Sequence, residues 1–289
     1  MKIKDLYIDK NNKKLPISFE IFPPKDDFDK KKLENLFEQL EILKKYNPSL
    51  VSVTYGAGGS NKDTSFEIVK YLVGMKVNVM PHFTCICTQK SKIDEQLEDL
   101  KSMNIENILA LRGDEPNECE ICYRDFRYAN ELVEYLKILT DFSIGVAGYP
   151  EGHIDAPDLN TDIQNLKKKI DAGGDVIYTQ LFFDNSKMYK YIELLRTNNI
   201  TKPVVAGILP IISYTQLDRM LSLAKVTVPK KLLEQIEKYK DNSDDIKKLG
   251  IDYATEQCSD LIGNGIQGIH FYTLNKAYST SHILDNLNI

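Results

Sequence analysis

Short apolar runs alternate with longer segments of mixed polarity along the whole chain. A short continuous apolar run predicts a strand that is buried on both faces, because a strand with one face in water would alternate apolar and polar residues. Eight such runs are present: Ile17–Phe22, Leu50–Tyr55, Val77–Cys85, Ile108–Arg112, Phe142–Tyr149, Val176–Phe183, Val204–Ile211 and Ile269–Leu274.

The segments between the runs have the period of amphipathic helices. One helix is predicted to begin after Asp158, whose carboxylate suits an N-cap, and to end at Gly173 and Gly174. Similar helical patterns cover Leu33–Leu43, Thr64–Val73, Ile93–Met103, Tyr128–Leu139 and Met188–Leu195.

Strands that alternate with helices favour a parallel sheet covered on both sides, and eight such units are the number that closes a barrel. We therefore predict an α/β fold, a (β/α)8 barrel, in preference to an open doubly wound sheet. A chain of 289 residues is compatible with a single domain of this kind, spanning 1–289. The charged stretch Val228–Gly250 is predicted to be an inserted helical connection before the eighth strand.

Polar residues gather where the predicted strands end, which is where barrels of this type place their sites. An isolated polar residue in a strand is usually a satisfied core group, but polar residues at several strand ends indicate a shared polar mouth. These residues are Glu20, Thr54, Tyr55, His82, Arg112, Gly113, Asp114, Tyr149, His153 and Gln180.

Composition and charge argue against a nucleic-acid partner and against a membrane span. The 37 basic and 42 acidic residues give a formal net charge of -5, which disfavours nucleic acid as a partner. No run is long and apolar enough to span a bilayer, and Met1–Lys14 lacks the apolar core of a signal peptide. We expect no membrane association and a cytoplasmic location.

Sequence motifs exclude several chemistries. Neither a dinucleotide-binding G-x-G-x-x-G fingerprint nor a Walker-type loop is present, although Gly56–Ser60 is rich in glycine. The four histidines form no H-E-x-x-H arrangement, and we expect no metal site. Cys119 and Cys122 form a C-x-x-C pair, for which a surface loop is the preferred interpretation and a metal or redox role the alternative.

The strand ends also carry a series of short motifs in a fixed order. They are Ser18–Lys25, Val51–Ala57, Pro81–Cys85, Leu111–Asp114, Ala147–His153, Thr179–Asp184, Gly207–Pro210 and His270–Asn275. In this order, and over nearly the whole chain, they resemble the methylenetetrahydrofolate reductase family. The resemblance implies a barrel that binds FAD and uses NADH or NADPH to reduce 5,10-methylenetetrahydrofolate to 5-methyltetrahydrofolate by ping-pong hydride transfer.

The same resemblance assigns roles to individual residues. By this resemblance Glu20 is the general acid that opens the five-membered ring of the folate, and burial is expected to raise its pKa toward neutrality. Asp114 lies beside flavin and pterin and adjusts the flavin's reduction potential, Gln180 contacts folate and nicotinamide in turn, and Gln216 and Lys276 bind the folate. The residues assigned to FAD are Thr54, Tyr55, Ala57, His82, Arg112, Gly113, Asp114, Tyr128, Ala129, Tyr149, His153, Ala156, Asp162, Asn165 and Lys169.

Some of these assignments have plain structural alternatives. Glu20 could form a buried ion pair with a lysine or arginine, and Asp114 could cap the helix after the fourth strand. Asp162, Asn165 and Lys169 could form the solvated face of a helix instead of binding the ribose and pyrophosphate of FAD.

The chain departs from the family pattern at three positions. Lys276 stands where many members have arginine, and it offers no bidentate fork to a carboxylate. Leu181 replaces a common phenylalanine, and Met220 stands where the family can place an aromatic contact to folate or nicotinamide. Because the chain ends soon after the eighth strand, we expect neither the regulatory extension of the animal enzymes nor feedback by S-adenosylmethionine.

Two other functions stay open at this point. One is a catalytic subunit that receives electrons from a partner protein, which the C-x-x-C pair motivates. The other is a folate- or flavin-binding barrel without turnover, against which the intact Glu20, Asp114 and Gln180 argue. The residues do not distinguish NADH from NADPH, and the resemblance implies a homo-oligomer.

Overall fold

The strands close into a barrel in chain order. The computed structural model describes residues 1–7, 14–24, 30–54, 62–114 and 125–289. All eight strand pairs are parallel, and the pairing of the last strand with the first closes the barrel, which confirms the predicted (β/α)8 fold. The strands are β1 (Ile17–Ile21), β2 (Leu50–Val53), β3 (Val79–Thr84), β4 (Asn107–Leu111), β5 (Ser143–Gly148), β6 (Val176–Leu181), β7 (Val204–Ile208) and β8 (Gly268–Tyr272).

Helices follow the strands and cover the outside of the barrel. None of the helices in the described part of the chain is both long enough and apolar enough to cross a membrane. The helices are α1 (Ile3–Leu6), α2 (Lys30–Lys44), α3 (Lys62–Gly74), α4 (Lys90–Ser102), α5 (Ala129–Leu139), α6 (Leu159–Asp171), α7 (Asn185–Thr197), α8 (Tyr214–Leu223), α9 (Lys230–Tyr239), α10 (Ser243–Gly263) and α11 (Ala277–Leu287).

The strands bury both of their faces, as the continuous apolar runs require. Residues such as Phe19, Ile144 and Ile208 are fully buried in one large core that also contains the apolar faces of the helices. Residues at alternate positions point into the barrel, because side chains of a strand alternate between its two faces. The inside of the barrel therefore carries the residues that can form a site.

The amino end of the barrel is closed by α1. Ile3 is fully buried in an apolar cluster with Met80, Val176 and Val205 from the strands. The backbone N–H of Ile3 donates to Asn107 Oδ1 at 2.7 Å, which anchors the short helix to β4. This apolar plug leaves the carboxyl end of the barrel as the open, polar end.

Helix α6 begins and ends where the sequence predicts. The Asp158 carboxylate accepts a hydrogen bond from the Thr161 N–H at 2.7 Å, as an N-cap does. Gly173 follows the helix with a φ of 122°, a conformation that strongly favours glycine. The helix is thereby fixed beside the carboxyl end of β5.

Between β7 and β8 the chain forms three helices. Helix α9 buries Leu232 and Ile236 against a small apolar cluster that also contains Leu217 of α8. The long α10 begins at Asn242, whose side chain accepts hydrogen bonds from the N–H groups of Asp244 and Asp245. The charged stretch Val228–Gly250 thus contains α9 and the first part of α10.

Candidate functional site

A cavity of about 870 Å³ opens at the carboxyl ends of the strands, and we call it the mouth cavity. Its volume lies in the range of roughly 300–1,000 Å³ that is usual for small-molecule pockets. Of the residues predicted from the sequence, its walls contain Glu20, Thr54, His82, Arg112, Asp114, Tyr149, His153 and Gln180.

Glu20 lies in the wall of the mouth cavity, beside two histidines. Its side chain is 18% exposed, and its Oε2 lies 3.4 Å from His82 Nε2 and 3.7 Å from His270 Nε2. Strand alternation and the pairing of β1 with β8 explain this contact, because Ser18 and Glu20 stand opposite His270 and Tyr272. Within the described ranges, the partners of Glu20 are therefore two histidines, and no lysine or arginine pairs with it.

The pKa of Glu20 differs from the expected direction. Burial alone acts to raise this pKa, as the sequence predicted, but the hydrogen bond to His270 and the electrostatic influence of the two imidazoles outweigh burial and hold it below its ordinary value. The sequence-based expectation of a raised pKa is thus wrong. The sequence indicates that the carboxyl group is buried, but it does not show that two imidazoles lie beside it.

The two histidines differ in their own environments. Burial lowers the pKa of His82 to about 4, although Glu20 opposes the shift. His82 is therefore neutral at neutral pH, and its buried Nε2 has no hydrogen-bond partner among the described residues. A buried donor or acceptor of this kind, which lines a cavity, is available to a ligand.

A second cavity of about 700 Å³ adjoins the mouth cavity, and we call it the side cavity. The two share Arg112, Asp114, Tyr149 and His153 as walls. The side cavity thus collects most of the residues that the resemblance assigns to FAD: Arg112, Gly113, Asp114, Tyr128, Ala129, Tyr149, His153, Ala156, Asp162, Asn165 and Lys169.

Lys169 and Asp162 carry the buried charges of the side cavity. Burial lowers the pKa of Lys169 to about 8, with Asp162 opposing the shift, and Lys169 Nζ donates to the Ala147 carbonyl oxygen at 2.6 Å. Asp162 is buried, and this raises its pKa. Of Asp162, Asn165 and Lys169 on α6, Asn165 alone is exposed. The alternative that these three residues form a solvated helix face therefore fails for Asp162 and Lys169.

Arg112 and Gly113 shape the wall between the two cavities. The Arg112 guanidinium donates to Asp155 Oδ2 at 2.9 Å, and the Asp155 N–H donates to His153 Nδ1 at 3.1 Å. Gly113 has a φ of 85°, and a Cβ there would lie 2.8 Å from an Ile86 methyl group. A glycine is therefore required for the turn that presents Asp114, which is exposed.

The residues assigned to the folate lie at different depths. Gln180 is in the mouth cavity, where its Oε1 accepts a hydrogen bond from the Leu181 N–H at 2.9 Å. Gln216 is outside that lining and braces the turn after β7 through Pro210 O and the Ile212 N–H. Met220 does line the mouth cavity.

Lys276 lies farther out, as the exposed N-cap residue of α11. It lines a third cavity, of about 710 Å³, between the end of β8, α10 and α11. This cavity and the mouth cavity share Tyr272, Thr273 and Leu274 as walls. Lys276 is therefore at the rim of the site, and a ligand would have to extend from the mouth cavity to meet it.

Several members of the site were not assigned from the sequence. His270 and Tyr272 contribute to the mouth cavity from β8, and Asp155 pairs with Arg112. The signal for His270 and Tyr272 was present, since they occupy alternate positions of an apolar run. Asp155 had no such signal, because it follows β5 in a segment without regular structure.

Some predicted residues lie outside the described residues. They are Tyr55, Ala57, Cys119 and Cys122. Over the ranges that are described, no group of three or more His, Cys, Asp or Glu residues is arranged to hold a metal ion.

Residues 5–288 match the family model described as methylenetetrahydrofolate reductase. The chain belongs to the methylenetetrahydrofolate reductase family. The resemblance carried by the strand-end motifs is thereby confirmed.

Curated relatives fall into two size classes. Methylenetetrahydrofolate reductase (NADH) 1 of Arabidopsis thaliana is 40% identical in an alignment of 287 residues that covers 94% of this chain and 48% of the relative. The 5,10-methylenetetrahydrofolate reductase of Buchnera aphidicola subsp. Schizaphis graminum is 36% identical over 276 residues, covering 94% of this chain and 92% of the relative. The chain thus spans about half the length of the plant relative and nearly all of the bacterial one.

Solved structures share the barrel at low sequence identity. An uncharacterized protein from Clostridium thermocellum, which binds two copies of 5-methyl-5,6,7,8-tetrahydrofolic acid, has a TM-score of 0.66 at 14% identity and covers 96% of this chain and 94% of its own. An aldo-keto reductase from Klebsiella pneumoniae has a TM-score of 0.55 at 14% identity, with coverages of 94% and 85%. At these identities the likeness concerns the fold alone.

Proposed function

We propose that this member of the methylenetetrahydrofolate reductase family reduces 5,10-methylenetetrahydrofolate to 5-methyltetrahydrofolate, with FAD as cofactor and NADH or NADPH as the hydride source. The observation that carries the proposal is the position of Glu20, deep in a cavity that shares a wall with a second cavity holding Arg112 and Lys169. Glu20 thus lies close to two positively charged side chains, Arg112 and Lys169, at the carboxyl end of the barrel.

The side cavity fits the chemistry of FAD. Lys169 and Arg112 supply positive charge for the pyrophosphate, and Asp162 and Asn165 supply acceptors for ribose hydroxyl groups. The positive φ of Gly113 brings the backbone close to the cavity. When bound, FAD would supply the reversible acceptance and donation of hydride between nucleotide and folate.

Glu20 has the position of a general acid. It would donate its proton to a nitrogen of the folate's five-membered ring, so that the ring opens and leaves an electrophilic iminium carbon that accepts hydride. Bound folate would exclude water from the mouth cavity, which strengthens the effect of burial and favours the protonated carboxyl group. The pKa of Glu20 is therefore expected to rise when the folate binds.

Other residues of the mouth orient the folate in this proposal. With its Oε1 engaged by the Leu181 N–H, Gln180 would contact the ligand through its amide nitrogen. Asp114, on the shared wall, would accept hydrogen bonds from the pterin and place a negative charge near the flavin. Gln216 would act by bracing the turn after β7, and Lys276 would meet the outer part of the folate.

Family membership also supports a homo-oligomeric enzyme of the cytoplasm. Light scattering of the purified protein measures its mass, for which we expect a multiple of the 33.1 kDa of the chain. A mass of one chain would contradict this part of the proposal.

Product analysis tests the proposal. Purified protein is incubated without oxygen with methylenetetrahydrofolate and either NADH or NADPH, and the flavin released on denaturation is identified by chromatography. We expect FAD, and 5-methyltetrahydrofolate as the product with at least one nucleotide. FAD without product would favour an enzyme fed by a partner protein, and the absence of flavin would favour a binding protein.

A further inference from the structure

Residues 224–229 connect α8 to α9, and we call them the α8–α9 segment. Together with the end of α8 this segment forms part of the wall of the mouth cavity, to which Met220 and Lys225 contribute. Behind the wall, Val226 and Val228 pack against the apolar cluster between α8 and α9. The segment is thus held in place by apolar contacts and presents a lysine at the cavity.

The direction of the Lys225 side chain follows from the alternation of burial along this segment. Val226 and Val228 are partly buried, whereas Lys225 and Thr227 are exposed, as in an extended chain whose alternate residues share one face. The N–H and the hydroxyl group of Thr227 donate to the two carboxylate oxygens of Glu151 at 2.9 and 2.5 Å. Glu151 lines the mouth cavity from the loop after β5. Lys225 therefore faces the cavity on the same side as Thr227.

The wall of the mouth cavity carries more negative than positive charge. Its lysine and arginine side chains are Lys225 and Arg112, and Asp155 engages Arg112 at 2.9 Å. Lys225 forms no ion pair with any of the described residues. An anionic ligand can therefore meet Lys225 without breaking an existing ion pair. The carboxyl groups of the same wall are those of Glu20, Asp114, Glu151 and Asp155.

Lys225 lies on the side of the mouth cavity that adjoins the side cavity. The Thr161 N–H lowers the pKa of Asp158, and the charge of Lys225 lowers it further. At Asp162, which lines the side cavity, burial raises the pKa and the charge of Lys225 acts against burial. Both carboxyl groups belong to the start of α6, so the lysine lies near this helix end. Lys276, in contrast, lies at the exit toward the third cavity.

An exposed apolar side chain accompanies Lys225 in the wall of the mouth cavity. Ile154 is 60% exposed and lines the cavity from the loop that also contains Glu151. A pyridine dinucleotide offers a partner for each of these side chains, because it has a flat base for the apolar surface and phosphate groups for the lysine. The glutamate end of a folate offers negative charge alone. The pair of Ile154 and Lys225 therefore favours the nucleotide.

We propose that Lys225 binds a phosphate group of the pyridine nucleotide and does not contact the folate. The inference rests on the proposed function, in which the two substrates occupy the mouth cavity in turn. The charged end of the folate extends toward Lys276, and that of the nucleotide extends toward the α8–α9 segment. The two substrates thus share the position beside the flavin and differ in the lysine that holds their charged ends.

The test measures flavin reduction by rapid mixing without oxygen over a range of nucleotide concentrations. Lys225→Met keeps the length of the side chain and removes its charge. We expect the half-saturating nucleotide concentration to rise by roughly threefold to tenfold, with little change in the maximal rate. Lys225→Arg keeps the charge and is expected to stay within about twofold of the wild type. An unchanged half-saturating concentration in Lys225→Met would overturn the proposal.

A comparison of NADH with NADPH identifies the phosphate group. An equal rise for both nucleotides assigns Lys225 to the pyrophosphate that they share, and a rise for NADPH alone assigns it to the 2'-phosphate. Lys231→Met on α9 is the matched control, because Lys231 is exposed and lies outside the walls of the three cavities. An equal rise in this control would show a general effect of surface charge and would overturn the proposal.

The oxidative half-reaction and the affinity for FAD separate the nucleotide from the other ligands. Lys225→Met is expected to leave the half-saturating concentration of methylenetetrahydrofolate and the affinity for FAD in place, whereas Lys276→Met raises the folate value alone. A change of either quantity in Lys225→Met would overturn the assignment to the nucleotide. A wild-type flavoprotein that neither nucleotide reduces would overturn the proposed function together with this inference. A reducible wild type that Lys225→Met leaves unaltered would overturn the inference alone.

Discussion

At the scale of single residues, Glu20 shows how opposing effects act on one carboxyl group. Burial disfavours its charge, and two imidazoles favour it. The contact depends on barrel closure, since His270 stands 250 positions away along the chain and meets β1 only through the pairing of β1 with β8. This is why sequence alone identified Glu20 and His82 as site residues but showed neither their contact nor the role of His270.

The first prediction concerns the acid itself. Glu20→Gln keeps the shape of the side chain and removes its titratable proton, so we expect a slower oxidative half-reaction by about two to four orders of magnitude. Flavin binding and flavin reduction by nucleotide are expected to persist, because neither needs this proton. Rapid mixing under anaerobic conditions measures both half-reactions.

The control for this variant is Glu41→Gln on the exposed face of α2. It makes the same chemical change far from the mouth cavity and is expected to leave both half-reactions unaltered. Comparable loss of both half-reactions in Glu20→Gln would contradict the assignment of Glu20 as the acid of the folate step.

The second prediction follows from Lys169, whose pKa lies at about 8 because of burial. Its charge is present below this pKa and is lost as the pH rises through it. The affinity of the flavin-free protein for FAD should therefore fall above about pH 8, by at most about tenfold per pH unit. Quenching of flavin fluorescence measures this affinity.

Lys169→Met should bind FAD more weakly and should remove this pH dependence. Lys167→Met is the matched control, because Lys167 pairs with Asp171 on the same helix and is not part of the side-cavity wall. An affinity of the wild type that stays constant between neutral pH and pH values above about 9 would contradict the role of Lys169.

At the scale of elements, the sequence predicts the strands well and the short helices poorly. Continuous apolar runs locate all eight strands, although several strands end one to three residues earlier than the runs do. Strand β7, for example, ends at Ile208 although the apolar run continues through Leu209, Pro210 and Ile211. Helix α1 has four residues and shows no period, so packing alone reveals it. The ion pair of Arg112 with Asp155 joins two loops and has no sequence signal.

The third prediction concerns α1, the apolar plug at the amino end of the barrel. Ile3→Ala removes a fully buried side chain and is expected to lower the free energy of unfolding by about 2–4 kcal/mol. Because the site is at the opposite end, the affinity for FAD should change little. Urea denaturation followed by circular dichroism measures the stability.

Ile138→Ala on α5 is the control, since Ile138 is 76% exposed. The same truncation there is expected to change the free energy of unfolding by less than about 0.5 kcal/mol. Equal effects of the two substitutions would contradict the role of α1 as an apolar plug.

At the scale of the whole molecule, the barrel separates stability from chemistry. Its amino end is filled by apolar side chains around α1, and its carboxyl end carries two adjoining cavities that share Arg112, Asp114, Tyr149 and His153. A cofactor in the side cavity and a substrate in the mouth cavity would meet at this shared wall. The arrangement suits two substrates that use one cofactor in succession.

The visible spectrum of the purified protein tests this account most directly. The protein is mixed without oxygen first with NADH or NADPH and then with methylenetetrahydrofolate. The account predicts a flavin absorbance that the nucleotide bleaches and the folate restores. Absence of a flavin absorbance, or a bleached flavin that methylenetetrahydrofolate fails to reoxidise, would contradict it.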